Sequence, residues 1–405
     1  MSDPERVQRI RDVLKADNLD AVVCALHAYV LMLSGYCPVI GTSLCVATSD
    51  GARILLVPAD EKELAGQGHA DEVRTYQPVS LDTLPSVLDA ATAPLKQLLH
   101  DHGLHCSRVG YEFGPAAEPA SYAGMNLFCG SIAELLHRVS PGAALAPADE
   151  DLQRLAAVKT PAEIERIRRT CEIVAEAFER GRAQLRIGMA ETAAAELFRV
   201  PLYVQGTAHD NVRQGAGGMA WCMSGKNSAK ASAAYARSRD AVIARHEFVL
   251  VHCNGQADGY WTDVTRTYVL GSPQERQVKL YEAVFSARAA ALAAIRPGAR
   301  ACDVDRAVRD VLRSRGLDHA MPHPTGHGVG FAAVAATARP RIHPKSEETL
   351  EAGMVFNVEP AVYFDSYGGL RHCDMVAVTS SGVDVLTPFQ SSTDELILSE
   401  RREAA

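Results

Sequence analysis

The stretch Phe248-Val-Leu-Val-His-Cys-Asn-Gly-Gln-Ala-Asp-Gly-Tyr-Trp-Thr-Asp-Val-Thr-Arg-Thr-Tyr268 decides the fold, because it reads as two β-strands folded about a turn. Asp258-Gly259 is a strong hairpin signal, since both residues tolerate the left-handed backbone that a tight turn requires. A turn centred between Ala257 and Asp258 sets His252 opposite Asp263, with Cβ atoms about 5 Å apart. One ribbon would then present an imidazole and a carboxylate together.

A second stretch repeats the plan. Gly353-Met-Val-Phe-Asn-Val-Glu-Pro360 and Gly369-Leu-Arg-His-Cys-Asp-Met-Val-Ala-Val378 flank Asp365, Ser366, Gly368 and Gly369, which supply turn chemistry. A turn centred on Ser366 puts Glu359 opposite Cys373. Between the two ribbons lies Pro324-Thr-Gly-His-Gly-Val-Gly330, where glycines on both sides of His327 let backbone approach a ligand closely.

The ribbons belong to a weak internal repeat. Leu185-Arg-Ile-Gly188 and Ile295-Arg-Pro-Gly298 each follow a long helical stretch and precede another, at an offset of 110 residues. Self-similarity at a fixed offset points to a duplicated half-domain. The same offset carries Asp263 onto Cys373, so the two ribbons are expected to face each other.

Upstream, Val7, Ile10, Val13 and Leu14 mark an amphipathic helix over 5–17. Asp20–Cys24, Arg53–Val57 and Arg108–Tyr111 read as strands, with helical sequence around 83–103. These make an α/β domain over 1–150, with a boundary at Pro141–Pro147. The second domain, 155–405, opens at Thr160-Pro-Ala-Glu163, which has capping-box residues and a proline at the first helical position. The length of 405 residues fits two such domains.

Hydrophobic residues at 47% and charged residues at 22% describe a globular chain, and the net charge of −8 argues against a general nucleic-acid partner. No apolar run reaches the length of a membrane span, and the N-terminus has no signal-peptide core. Ten scattered cysteines without a CxxC pair read as free thiols in a reducing cytoplasm.

Each candidate has an ordinary structural explanation when taken alone. A strand histidine is usually satisfied by core hydrogen bonds, Asp263 has Arg266 nearby to pair with, and a free cysteine is usually an inert buried thiol. Convergence changes the balance, because several polar groups on facing ribbons are costly to bury without a metal or a network.

With these motifs in place, the chain resembles the superfamily of methionine aminopeptidase, Xaa-Pro aminopeptidase, prolidase and creatinase over nearly its whole length. His27–Tyr36, Val158–Glu163, Gly259–Thr267, Gly326–Gly330 and Val358–Pro360 carry the likeness. The resemblance implies a creatinase-type α/β N-terminal domain and an α+β "pita-bread" catalytic domain with pseudo-twofold duplication. It also implies two divalent ions held by Asp, Asp, His, Glu and Glu. Asp263, His327 and Glu359 match that set, whereas His252 replaces the first Asp and Cys373 the last Glu. His323 and Arg371 are retained. Ser232 stands where the family has a substrate-handling histidine, and around 331–340 only Val334 or Thr337 falls at the place of another. These two losses argue against ordinary prolidase, aminopeptidase or creatinase activity.

Three functions follow from the resemblance. The leading one is metal-dependent cleavage of an amide or amidine C–N bond in a small, non-peptide substrate. One or two Zn, Mn, Fe or Co ions would sit among His252, Asp263, His327, Glu359 and Cys373. In the second, no metal binds, Cys373 is a nucleophile activated by His252, and Glu359 and His327 handle protons, with His323 a further catalytic histidine. In the third, the chain binds a ligand without turnover. Ser232 and Arg371 are the expected substrate contacts, and the family expectation is a homodimer.

Overall fold

The computed structural model describes residues 3–39, 42–78, 86–112, 130–233, 237–335 and 338–398. The predicted helix beginning near residue 83, Cys129 and Thr337 fall wholly or partly outside them. The chain divides into two compact units between Ala162 and Glu163.

In the first unit, six strands form one mixed sheet: β1 (Ala21–Cys24), β2 (Leu44–Thr48), β3 (Arg53–Pro58), β4 (Glu72–Tyr76), β5 (Arg108–Tyr111) and β6 (Ala144–Pro147), in the order β4-β3-β2-β1-β5-β6. Val23, Val46, Ile54, Leu56 and Val109 pack from the sheet against Leu95, Leu98 and Leu99 of helix Val87–Asp101. The boundary expected at 141–147 lies inside this unit. Its apolar residues pair as β6 along β5, and helix Asp149–Ala157 follows. The fully buried Arg6 ties helix Pro4–Ala16 to this segment, donating to the carbonyls of Leu155 at 2.7 Å and Val158 at 3.1 Å.

The second unit carries the duplication. Helices Pro161–Gln184 and Glu191–Ala208 turn at Gly188 (φ +85°), and helices Glu275–Ala294 and Ala301–Ser314 turn at Gly298 (φ +82°). At this left-handed backbone a side chain would be strained. Strand β7 (Ala216–Ser224) begins 110 residues before β11 (Gly326–His327), as helix Glu191–Ala208 does before Ala301–Ser314. The strand β10 (Val264–Leu270) stands in the same relation to β16 (Asp374–Val378).

Around β10, strands β8 (Phe248–Ala257), β9 (Tyr260–Trp261), β7 and β18 (Ile397–Leu398) complete one sheet. The other half contains β12 (Arg341–Ile342) on β11, β13 (Val355–Val358) and β17 (Val383–Val385) on either side of β16, and β14 (Ala361–Phe364) paired with β15 (Gly368–Arg371).

The first ribbon is shifted from its expected register. Asp258 (φ +50°) and Gly259 (φ +81°) both take left-handed backbone and form the two-residue turn themselves, so Ala257 pairs with Tyr260 and His252 with Thr265. Asp263 therefore lies diagonal to His252, on the same face, where the ladder breaks between β9 and β10. The second ribbon has the expected register: Ala361 pairs with Arg371 and Val358 with Asp374, which leaves Glu359 level with Cys373.

The halves meet at a backbone bridge. Cys373 N–H donates to the Thr265 carbonyl at 3.1 Å, and Thr265 N–H returns the bond at 3.3 Å. Arg266, fully buried, points to the opposite side of β10 from Asp263 and does not pair with it. It donates to the carbonyls of Cys373, Thr387 and Phe389 and to Asp374 Oδ1 at 2.8 Å. Asp374 also accepts from Arg288 Nε at 2.5 Å and from the Thr387 hydroxyl. Burial raises the Asp374 carboxyl, but Arg266, His372 and Arg288 outweigh it and hold it well below the usual range.

Removing one partner leaves a buried charge unpaired, so Arg266→Ala should cost about 3–5 kcal/mol in chemical denaturation at pH 7. Asp374→Asn should destabilise in the same direction. A depressed carboxyl stabilises fully above its unfolded pKa, about 4, and progressively less as pH falls below it, so the gap between wild type and Asp374→Asn should narrow in acid.

Candidate active site

Five side chains gather at the seam between the halves. Asp263, nearly fully buried, is their focus. His252 Nδ1 lies 3.6 Å from its Oδ1, His327 Nε2 lies 3.6 Å from its Oδ2, and the Cys373 thiol donates to its carbonyl at 3.2 Å and to Oδ1 at 3.5 Å. Glu359 joins through Arg371, whose Nη1 is 3.5 Å from its Oε2. Arg371 is held in turn by the Thr265 hydroxyl at 3.0 Å and the Ala231 carbonyl at 3.4 Å.

Local sequence explains the placing of His327. A Cβ at Gly326 would collide with the Asn357 carbonyl, and one at Gly328 with the Arg339 carbonyl. Glycine on both sides is what lets this strand lie so close. The imidazole Nδ1 then donates to the Gly328 carbonyl at 3.1 Å, which leaves Nε2 aimed inward. His252 is oriented by its strand neighbours: Nδ1 meets the Thr265 hydroxyl at 3.0 Å, and the ring stacks on Trp221 of β7 with centroids 5.4 Å apart.

Burial sets the charge states. It pushes His252 down to about 4 despite Asp263, and His323 down to about 4 with help from Arg371, so both imidazoles are neutral near pH 7. For His327 burial also lowers the pKa, but Asp263 and Glu359 outweigh it and the value is raised. Burial lifts Glu359 to about 7 against the pull of Arg371. In Asp263 the opposing effect of His252 and His327 wins over burial, and the carboxyl is held low. Burial and the two neighbouring carboxyls raise the Cys373 thiol well above its ordinary range.

The geometry bears on three of the expected roles. Cys373 is fully buried, protonated and hydrogen-bonded to Asp263, whereas a nucleophile must be an accessible thiolate. His252 spends Nδ1 on Thr265 instead of activating that thiol. Ser232 ends the 3₁₀ segment Gly225–Ser232, and among the described residues its hydroxyl makes no hydrogen bond to the site; the neighbouring Ala231 carbonyl reaches Arg371 instead. Val334 brings no polar group. His323, by contrast, is tied to the site, with Nε2 3.0 Å from the Tyr363 hydroxyl and Nδ1 on the Pro324 carbonyl.

Asn357, Tyr363 and Trp221 were not among the predicted residues. Asn357 had a signal, since asparagine is disfavoured inside strands and sits two residues from Glu359, on the same face. Its Nδ2 lies 3.3 Å from His327 Nε2 and 3.6 Å from Cys373 Sγ.

The chain was compared with known proteins. The model of metallopeptidase family M24 matches residues 165–380, and that of the creatinase/prolidase N-terminal domain matches 6–155. The chain belongs to metallopeptidase family M24. A Xaa-Pro dipeptidase of Pyrococcus horikoshii is 26% identical over 386 residues, 95% of this chain and 97% of that protein. One from Pyrococcus furiosus is 31% identical over 242 residues, 59% of this chain and 65% of that protein. The solved prolidase of P. horikoshii OT3 superimposes with a TM-score of 0.75 at 25% identity, covering 96% of this chain and 99% of that one. The pita-bread fold with its creatinase-type N-terminal domain is thereby established. This M24 protein is a hydrolase of the class acting on C–N bonds.

Peptidases of the family generally use divalent metal ions. The side chains present here do not fit such a centre. The Cys373 thiol spends its hydrogen on Asp263, the Arg371 guanidinium lies on Glu359, and the Asn357 amide nitrogen faces both His327 Nε2 and Cys373 Sγ. Hydrogen-bond donors thus stand where ligand lone pairs would meet a cation. Among the described residues, no three His, Cys, Asp or Glu side chains are spaced to hold one ion. The expected Zn, Mn, Fe or Co ion accords with the family, but the side chains here do not fit it. Elemental analysis of the M24 protein purified without chelator should find these metals far below one per chain.

Proposed function

We propose that this M24 protein hydrolyses an amide or amidine C–N bond in a compact, non-peptide substrate, using side chains in place of a bound ion. The observation that carries this reading is the pair of partners at His327 Nε2. Asn357 Nδ2, a donor, lies 3.3 Å away and suits the neutral ring, while Asp263 Oδ2, an acceptor, lies 3.6 Å away and suits the protonated one. An imidazole with a partner ready for either state can take up and release a proton without rearranging its surroundings.

Glu359, poised near neutrality by burial, takes a proton from water as the water oxygen bonds to the substrate carbon. The Arg371 guanidinium, 3.5 Å from Glu359, faces the oxygen or nitrogen on which negative charge develops. His327 passes a proton to the leaving nitrogen as the C–N bond breaks, and the proton held by Glu359 then passes to His327, which restores both groups. Two Xaa-Pro dipeptidases among the relatives make Xaa-Pro dipeptides the first comparison substrates. A homodimer in a reducing cytoplasm belongs to the same proposal; the free thiols of Cys45, Cys171, Cys222, Cys253 and Cys373 are in keeping with that compartment. Among those residues no helix is long and apolar enough to cross a membrane.

The test is turnover of a panel of small amides, amidines, lactams and Xaa-Pro dipeptides, before and after exhaustive chelation. The expected outcome is hydrolysis of a non-peptide member that survives chelation. Glu359→Gln should lower kcat/KM by about 10²–10⁴-fold, the usual contribution of general acid–base catalysis, with an unchanged melting temperature. Activity lost on chelation and restored by a divalent metal would refute side-chain catalysis. Tight binding without turnover would leave a ligand-binding role instead.

A further inference from the structure

Asn357 is fully buried on β13 and faces the site. Its Oδ1 accepts the backbone N–H of His327 at 2.7 Å. That bond fixes which end of the amide is which, because the flipped group would set an NH₂ against an N–H. Nδ2 is left facing His327 Nε2 and Cys373 Sγ. An imidazole nitrogen and a sulfur thus converge on one amide nitrogen, whose two hydrogens can serve both. Both are the kinds of atom that bind transition metals.

We infer that the Asn357 amide nitrogen is a built-in substitute for a metal ion, which satisfies His327 and Cys373 by hydrogen bonding and so bars divalent cations from this site. An entering ion would have to displace Nδ2. Because the amide is planar, it would also have to break the Oδ1 bond that seats His327. The Cys373 thiol reinforces the exclusion, because it donates its hydrogen to Asp263 rather than offering a thiolate. Asn357 is accordingly a positioning residue, setting the His327 ring through both its backbone and its Nε2. It also determines the site's ion preference.

The inference rests on the metal-independent reading above, but its test requires no substrate. Chelator-treated full-length protein is titrated with ZnCl₂, MnCl₂ and CoCl₂, using calorimetry and, for cobalt, the visible thiolate and ligand-field bands. Wild type should show no stoichiometric uptake and no thiolate–cobalt band. Asn357→Ala should take up zinc or cobalt at least about 10–100-fold more tightly, the scale on which residues behind metal ligands tune affinity. Asn357→Asp, of the same shape but with an oxygen acceptor replacing the donor, is the second variant should alanine not fold. Stoichiometric, tight uptake by wild type overturns the inference, whether or not either variant folds. A folded variant that remains as ion-free as wild type overturns it as well. A protein that excludes ions yet hydrolyses nothing would instead count against the proposed activity alone.

Discussion

The site depends on one constraint, the buried contact by which the two duplicated halves grip each other. Thr265 and Cys373 exchange backbone hydrogen bonds, and one residue further along Arg266 reaches across to Asp374 with no exposed surface. Everything chemical is measured from that seam. Asp263 stands two residues before Thr265, Cys373 is itself a seam residue, and Arg371 is fastened to the hydroxyls of Thr265 and Thr267. Strand alternation then separates two kinds of charge. Arg266 and Asp374 face one side and neutralise each other, while Asp263, Cys373 and Arg371 face the other and remain for chemistry. A buried ion pair of this kind is weak evidence of extra stability but strong evidence of a defined register, since sliding either ribbon would strand a guanidinium or a carboxylate.

The same burial makes the site's groups unlike one another. His252 and His323 are driven neutral, Glu359 is lifted toward neutrality, and Asp263 stays charged because two imidazoles and Arg371 surround it. Two carboxyls near one guanidinium with opposite shifts are the arrangement from which acid and base roles arise. Asp263 is a fixed negative charge that holds rings in place, and Glu359 is the carboxyl able to exchange a proton.

Much of this was legible in the sequence. Turn residues locate both ribbons, and the 110-residue offset alone brings Asp263 and Cys373 together. The register of the first ribbon was misjudged because Asp258 as well as Gly259 takes left-handed backbone, which moves the turn by one residue and Asp263 from opposite His252 to diagonal. Trp221 was missed because it reaches His252 across the sheet from a strand some thirty residues upstream, a pairing that local patterns do not encode. The poor fit of these side chains to a metal was not legible for a different reason. Residue types reveal which atoms can bind an ion, but not whether their lone pairs are already taken. Cys373, Glu359 and His327 are all competent ligands by type, and all three are engaged by donors: Asn357 Nδ2 on Cys373 and His327, and Arg371 on Glu359.

Charge explains why such an exchange is self-consistent. In the family this chain belongs to, carboxylates stand at both places now held by His252 and Cys373, and a cluster of that many carboxylates at low dielectric requires cations to exist. Exchanging one for an imidazole and the other for a thiol removes two negative charges from the seam. What remains is Asp263, a Glu359 lifted close to neutrality, and Arg371, a set that nearly balances without added ions. The exchanged residues also supply the direction of the bonds. A carboxylate at 373 would oppose Asp263, whereas a thiol can donate to it, and an imidazole at 252 can lie against Asp263 without competing charge. Restoring only one carboxylate would return a negative charge with no cation to answer it, so the two replacements and the Asn357 amide are best understood as one coupled change in how the seam is neutralised.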